Sequence, residues 1–283
     1  MSVPRISSSS YSNTAPLIWS FLYGSERGKY ELILDTAPAR SAELLQQKRV
    51  DAAFVPAIAF QIIDDLLIVP NVCVGARESV KSVCLVTKGL ELSDVKSVSL
   101  DVSSKTSVAL TKIIFREFLG FEPLWKNSEP NVEKMLEESD CALIIGDPAL
   151  LILDSKKTKL ELNNEGQMAN DKGLLFKFDL AELWKKYTDF GFVFAMWMAN
   201  SDRKDIAKQI DFAKARDEGL THLHEIIANY ENEIPLSREE FRNYLTQNIS
   251  FEIDESMLKG LKLYFKLAHK HRLVEQNKEL TFI

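Results

Sequence analysis

Strand-like and helix-like segments alternate along the first part of the chain, and this alternation constrains the fold more than any other feature. Short apolar runs at 3–7, 31–34 and 52–55 are separated by helix-like segments, the first of which carries Pro16 in its first turn. Strand, helix, strand, helix, strand is the order typical of a parallel α/β sheet. We therefore predict an α/β fold that begins with such a sheet.

The same order of elements recurs in the next part of the chain. Apolar strands are predicted over 95–101 and 141–145, with an amphipathic helix between them. We predict two α/β lobes: residues 1–88 and 190–283 form lobe 1, and residues 89–189 form lobe 2. Ligands in such folds bind at the carboxyl ends of the strands, in the cleft between the lobes.

Several side chains have the identity and position of helix caps. Ser41, Asp179 and Asp254 each precede a helix-like segment, and a Ser, Asp or Asn there accepts a hydrogen bond from a free backbone N–H. Ser237 and Glu240 have the S-x-x-E spacing of a capping box. These residues predict where four helices begin.

Charge and composition argue against several classes of partner. The chain has 35 Lys and Arg against 41 Asp and Glu, a net charge of −6, whereas binding a phosphate backbone needs a basic stripe. No apolar run is long enough to cross a membrane, and the N-terminus lacks the apolar segment of a secretory signal. The 3 cysteines have no CxxC spacing and fit a reducing compartment. We predict a cytoplasmic protein with no metal and no nucleic-acid or membrane partner.

Polar, uncharged side chains follow the first strand of each lobe. Common catalytic motifs such as GxGxxG, GxSxG and HExxH do not occur in the sequence. The first cluster contains Ser12, Asn13 and Thr14, and the second contains Ser104, Thr106 and Ser107. Hydroxyls and backbone N–H groups at a helix N-terminus can bind an anion. Two such clusters facing one cleft suit a small ligand with two carboxylates. The alternative is that they only cap helices and form turns.

A third candidate follows the strand at 141–145, in the sequence Ile-Gly-Asp-Pro. Gly146 and Asp147 stand at its carboxyl end, where a ligand would bind. Asp147 either contacts the ligand or forms an Asx turn before Pro148.

Several motifs are similar to those of one enzyme family, the chorismate dehydratases of the futalosine route to menaquinone. The segment SYSNTAPL at 10–17 resembles the opening of that family and is the most specific match. The others are DAAFVP at 51–56, VKSVCL at 80–85, SKTSVAL at 104–110, IGDPAL at 145–150, Asp179-Leu180 with Trp184, and FVFAMW at 192–197. The resemblance is collinear over roughly residues 3–270. One departure is Ser7–Ser10, where the family has a glycine and an apolar residue.

The resemblance implies a two-lobed fold like that of type II periplasmic binding proteins, used as a cytoplasmic enzyme. It implies a hydro-lyase without a cofactor that converts chorismate to 3-[(1-carboxyvinyl)oxy]benzoate and water. Asn13 and Ser82 match the Asn and Ser of that family's active site. A cytoplasmic binding or sensing domain for a small dicarboxylate-type anion is the alternative, because the fold alone does not decide between the two.

Overall fold

The apolar runs that the sequence predicts as strands pair into two separate sheets. The computed structural model describes residues 3–35, 38–152, 175–234 and 236–283. Within these ranges the strands, in chain order, are β1 Arg5–Ser9, β2 Glu31–Asp35, β3 Ala52–Pro56, β4 Leu66–Ala76, β5 Val83–Thr87, β6 Ser97–Asp101, β7 Leu124–Ser128, β8 Cys141–Ile145, β9 Phe176–Asp179 and β10 Phe192–Asn200.

The two sheets share one topology. Sheet 1 has the strand order β2-β1-β3-β10-β4, and sheet 2 has the order β7-β6-β8-β5-β9. In sheet 1, β1 pairs in parallel with β2 and β3, and β10 is antiparallel to β3 and β4. In sheet 2, β6 pairs in parallel with β7 and β8, and β5 is antiparallel to β8 and β9. The predicted α/β class is confirmed.

The chain first changes sheets earlier than the sequence predicts. The prediction assigned residues 1–88 to lobe 1, but β5 pairs with β8 and β9 of sheet 2. The first crossover therefore lies between β4 and β5, at 77–82, and this corrects the boundary after residue 88. The strand was misplaced because VCLVT is equally apolar in either sheet, and only its pairing partners assign it. The return to sheet 1 lies between β9 and β10, around the predicted position.

Helices connect the strands and form the C-terminal part of the chain. In chain order they are α1 Ala15–Leu22, α2 Pro38–Gln46, α3 Ala59–Ile62, α4 Lys105–Ile113, α5 Val132–Glu138, α6 Asp147–Leu150, α7 Leu180–Thr188, α8 Lys204–Ala207, α9 Phe212–Thr221, α10 Leu223–Tyr230, α11 Arg238–Asn243 and α12 Glu255–Lys270. Two π-helical segments, Ile114–Leu119 and Tyr244–Asn248, extend α4 and α11. Short 3-10 turns cover Ser12–Thr14, Leu92–Asp94 and Ser201–Arg203.

Three of the four predicted caps are present. Asp179 accepts hydrogen bonds from the backbone N–H groups of Ala181 and Glu182, and Asp254 accepts one from Met257. Ser237 and Glu240 form both bonds of the capping box. The fourth prediction, Ser41, is wrong: α2 begins at Pro38, and the Ser41 hydroxyl lies 2.9 Å from that of Ser7 instead.

One apolar core joins the two sheets. Every residue of β3, β5 and β8 is buried, as expected for strands covered on both faces. Trp184 of α7 is fully buried, and its ring contacts Phe118, Phe192 and Tyr264 at centroid distances of 6.2, 5.4 and 6.4 Å. These rings come from the extension of α4, from β10 and from α12. Side chains from both halves of the chain therefore pack into a common core.

Candidate active site

The two predicted polar clusters lie at strand ends that face each other. β1 runs through Ser10 and Tyr11 into the turn Ser12–Thr14 and then into α1. β6 runs through Ser103 and Ser104 into α4. Both strands pair in parallel with their neighbours, so their carboxyl ends lie at the edge of the sheet where ligands bind in α/β folds.

A cavity lies between these two edges. It contains about 490 Å³ of space free of atoms, part of it open to solvent. Its polar lining consists of Ser9, Tyr11, Asn13, Thr14, Ser104, Ser107 and Gly146. Its apolar lining consists of Phe54, Pro56, Val74, Val83, Ile145, Phe194 and Ala195. Both sheets contribute to each set, so the cavity is a cleft between the two.

None of the lining residues just named is a lysine, an arginine or an acid. An anion in this cleft would therefore be bound by hydroxyl and amide groups and by the N-terminus of α4. Ser104 caps that helix, and its hydroxyl lies 3.4 Å from the Ser107 nitrogen and 2.8 Å from the Ser107 hydroxyl. The aligned peptide dipoles of α4 favour negative charge at this point.

The hydroxyls of the two predicted threonines, Thr14 and Thr106, are hydrogen-bonded to backbone groups. Thr14 donates to the carbonyls of Ser9 and Tyr11, at 2.6 and 2.7 Å, and thereby fixes the turn after β1. The Thr106 hydroxyl accepts a hydrogen bond of 3.2 Å from the backbone N–H of Ile58, which follows β3 in the other sheet. Thr106 is thus a contact between the two halves and does not line the cavity.

Ser12 and Asp147 bind each other across the cleft. The Ser12 hydroxyl donates to Asp147 Oδ1 at 2.5 Å, and the Ser12 N–H donates to Oδ2 at 3.2 Å. Gly146, beside them, has a φ of +67°, and a Cβ there would lie 3.0 Å from the Tyr11 ring. The residue before Asp147 must therefore be a glycine for Tyr11 to pack against the end of β8.

Asn13 follows β1 of sheet 1 and Ser82 directly precedes β5 of sheet 2, and of the two only Asn13 lines the cavity. Asn13 is 9 % exposed. Ser82 is fully buried directly before Val83, which lines the cavity, and its hydroxyl donates to the Val80 carbonyl at 3.3 Å. The loop that holds Ser82 is anchored by Asp179, which accepts hydrogen bonds from the N–H groups of Val80 and Lys81.

Burial shifts the ionisation of the groups around the cleft. It raises the pKa of Asp147 above its ordinary value, and the hydrogen bonds from Ser12 only partly oppose this. Burial likewise raises the pKa of Asp101, at the end of β6, and that of the Tyr11 phenol. The lining, which includes the protonated Tyr11 phenol, is therefore uncharged, and the carboxyls of Asp101 and Asp147 lie behind it.

Several cavity residues were not singled out from the sequence. Phe54 and Phe194 form part of its apolar wall, and Tyr11 part of its polar wall. Each of these three lies within a motif that carries the family resemblance, which was the available signal. Tyr244, in the π-helical segment after α11, approaches Asn13 and Ser82, and no sequence motif pointed to it.

The described residues contain no group of three His, Cys, Asp or Glu side chains placed to hold a metal ion. Over the same ranges, none of the helices has the length and apolar character to span a membrane.

Sequence comparison identifies one family over nearly the whole chain. The model of a family described as menaquinone biosynthesis matches residues 4–270. A chorismate dehydratase of Thermus thermophilus is 28% identical over 258 residues, which is 90% of this chain and 91% of that protein.

Structural comparison shows a fold like that of periplasmic binding proteins. Protein AF1704 of Archaeoglobus fulgidus superposes with a TM-score of 0.69 at 14% identity, over 95% of this chain and 98% of its own. The periplasmic aliphatic sulphonate binding protein SsuA of Escherichia coli gives a TM-score of 0.60 at 15% identity, over 99% and 93%. A Candida albicans protein described as having the generic periplasmic binding protein fold gives 0.58 at 13% identity, over 95% and 91%. The predicted fold class is confirmed.

Proposed function

The chain belongs to the menaquinone biosynthesis family, and from this premise we propose that it is a chorismate dehydratase. The reaction is a hydro-lyase step that converts chorismate to 3-[(1-carboxyvinyl)oxy]benzoate and water, without a cofactor. The observation that carries the proposal is the collinear match of 90% of the chain to a chorismate dehydratase.

The chemistry of the cleft supports this substrate. Chorismate carries two carboxylates and a six-membered ring, and the cleft combines neutral hydrogen-bonding groups with an apolar wall. Ser104, Ser107 and the N-terminus of α4 provide one site for a carboxylate. The turn Ser12–Thr14, at the start of α1, faces it from the other sheet. Phe54 and Phe194 provide apolar surface for the ring.

The reaction needs positioning more than a strong base. Loss of the ring hydroxyl and of the proton on the neighbouring carbon makes the ring aromatic, so much of the driving force resides in the substrate. An enzyme then contributes mainly orientation and stabilisation of developing charge. We assign these roles to Asn13 and Ser82, which hold a carboxylate or the departing hydroxyl through hydrogen bonds.

We propose that a carboxylate of the substrate accepts the proton. The motivation is that no histidine or acid is among the residues that line the cavity, and that Asp147 is occupied by Ser12. A substrate analogue without the side-chain carboxylate should therefore be turned over far more slowly than chorismate. Turnover of that analogue at the normal rate would contradict this assignment.

We further propose that the protein acts in the cytoplasm and that the two sheets, with their helices, are the two lobes of its cleft. Cys73, Cys84 and Cys141 are free and buried, which supports a reducing compartment.

The alternative is a binding or sensing domain, which the likeness to a sulphonate binding protein favours. The ultraviolet spectrum of chorismate mixed with the protein distinguishes the two. A dehydratase replaces the cyclohexadiene absorbance with that of a substituted benzoate, whereas a binding protein leaves it unchanged. Isochorismate and prephenate, tested alongside, show whether the substrate is chorismate itself.

A further inference from the structure

Tyr244 has a hydroxyl whose position is not explained by folding alone. The side chain is 1 % exposed, and within the described residues its hydroxyl has no hydrogen-bonding partner. A buried polar group without a partner destabilises a protein, so most such groups are paired. Its counterpart Tyr264 is also fully buried, but the Tyr264 hydroxyl donates to the Thr106 carbonyl at 3.0 Å. Tyr244 therefore differs from an ordinary core tyrosine.

The surroundings of this hydroxyl are the two residues already assigned to the reaction. Ser82 and Asn13 lie beside it and lower its pKa, but neither is hydrogen-bonded to it, and of these three residues only Asn13 lines the cavity. They come from different sheets, so the hydroxyl lies where the two sides of the cleft converge. Burial is nevertheless the larger effect and raises the pKa of Tyr244, which keeps the phenol protonated near neutral pH.

The backbone around Tyr244 is attached to the loop that carries Ser82. Tyr244 begins a π-helical segment, and π-helical turns are frequent at functional sites. At the end of that segment, the Asn248 amide donates to the Ser79 hydroxyl at 2.9 Å and to its carbonyl at 3.3 Å. The segment and the loop therefore hold Tyr244 and Ser82 in a fixed relation.

We propose that Tyr244 is a third hydrogen-bonding residue of the Asn13–Ser82 site, which donates its phenol hydrogen to the ring hydroxyl that leaves chorismate. This assignment rests on the proposed dehydratase function. The C–O bond breaks with its electron pair moving to oxygen, and the neighbouring C–H bond supplies the pair that completes the aromatic ring. The proton from that carbon, carried by the accepting carboxylate, joins the departing oxygen to form water. Tyr244 stabilises the charge on that oxygen and is unchanged at the end.

The test is Tyr244→Phe in the full chain, which removes one oxygen atom and keeps the ring. We expect kcat to fall by about 10- to 1000-fold, as for loss of one donor to a developing oxyanion, with a smaller change in KM. The melting temperature should stay the same or rise, because an unpaired buried hydroxyl is removed. In the double variant that combines Tyr244→Phe with Asn13→Ala, kcat should fall by less than the product of the two single fold-changes.

Two further tyrosine variants serve as controls. Tyr187→Phe, on α7 with its ring stacked 4.7 Å from Phe118, should retain kcat. Tyr264→Phe loses an existing hydrogen bond, so its melting temperature should fall.

The outcomes separate this proposal from the proposed function. If the unaltered protein leaves chorismate unchanged, the dehydratase function itself is wrong. If it is active and Tyr244→Phe keeps kcat within twofold, only the role of Tyr244 is overturned. A Tyr244→Phe protein that fails to fold, or melts lower than Tyr264→Phe, would show that the hydroxyl serves stability and would also overturn that role.

Discussion

Replacing Asn13 with alanine separates a role in the reaction from a role in folding. Asn13 lies within the 3-10 turn Ser12–Thr14, whose cap position is Tyr11, and the cap position of α1 is Thr14. Loss of a true capping side chain costs about 1 kcal/mol. Since Asn13 occupies neither cap position, we expect a loss below that of a true cap, less than about 1 kcal/mol in the free energy of unfolding. For a chain of this size that corresponds to a fall of about 2 °C or less in the melting temperature.

The effect on turnover should be much larger. If the Asn13 amide orients the substrate or the departing hydroxyl, its contact strengthens in the transition state, and kcat should fall more than KM changes. Removal of one well-placed donor costs on the order of 10²–10³ in rate, or about 2.7–4 kcal/mol. The assay is the ultraviolet conversion of chorismate, followed continuously. Asn127→Ala, at an exposed position of the edge strand β7, is the matched control and should change neither quantity.

A second variant at this position probes charge, and one result would refute the reasoning. Asn13→Asp keeps the size of the side chain but places a negative charge beside an anionic substrate, so both binding and turnover should fall. An Asn13→Ala protein that keeps the normal kcat but melts several degrees lower would show that Asn13 is structural.

Four further predictions concern the contacts around the cleft. Ser107→Ala should raise KM and cost about 1 kcal/mol in the free energy of unfolding, because it also removes the hydrogen bond from the Ser104 hydroxyl. Thr106→Val should lower the free energy of unfolding by about 1–3 kcal/mol, because it leaves the buried N–H of Ile58 unpaired. Steady-state kinetics and urea unfolding test both, and an unchanged KM in Ser107→Ala contradicts the first. Ser12→Ala should lower the free energy of unfolding, measured in urea, by about 1.5–3 kcal/mol, since it removes a hydrogen bond to the Asp147 carboxyl. A loss below about 0.5 kcal/mol, which is typical of substitutions at neutral sites, would contradict this value. The raised pKa of Asp147 means that the folded protein binds the carboxyl proton more tightly than the unfolded chain does. The stability gained from this proton is therefore present below about pH 3.8 and is lost as the pH rises through the folded pKa. Asp147→Asn should remove this part of the pH dependence of stability, and parallel pH profiles of stability for the two proteins would contradict it.

Much of the fold follows from local sequence patterns. The strands β6 and β8 could be predicted because each is a short apolar run bounded by turn residues, and Asp179, Ser237 and Asp254 cap helices as predicted. Such features depend on residues a few positions apart. Pairing between distant segments cannot be predicted from such local patterns. For this reason β5 was assigned to the wrong half, and the contact of Ser41 with Ser7 was not predicted.

The residues of the candidate site also differ in how far local sequence predicts them. Asn13, Ser104 and Ser107 were predicted from polar clusters at strand ends, and the structure places all three at the cavity. Thr106 has the same local pattern, yet its hydroxyl binds Ile58, and nothing near Thr106 in the sequence indicates that contact. Tyr244 lies more than 200 residues from Asn13 and appears as an ordinary apolar position of a helical segment. Its approach to the cleft depends on how the C-terminal helices pack.

The chemistry of the proposed reaction explains why the two sides of the cleft should respond differently to mutation. Substrate and product carry the same two carboxylates, so a group that binds only the carboxylate that takes no part in proton transfer stabilises the ground state and the transition state about equally. Such uniform binding changes KM and leaves kcat nearly constant. We propose that Ser107 and the N-terminus of α4 are in this position. The departing hydroxyl is the group whose charge changes most, so the residues that contact it control kcat. A Ser107 variant that lowers kcat as much as an Asn13 variant would show that the division is wrong and that both sides of the cleft contact the reacting atoms.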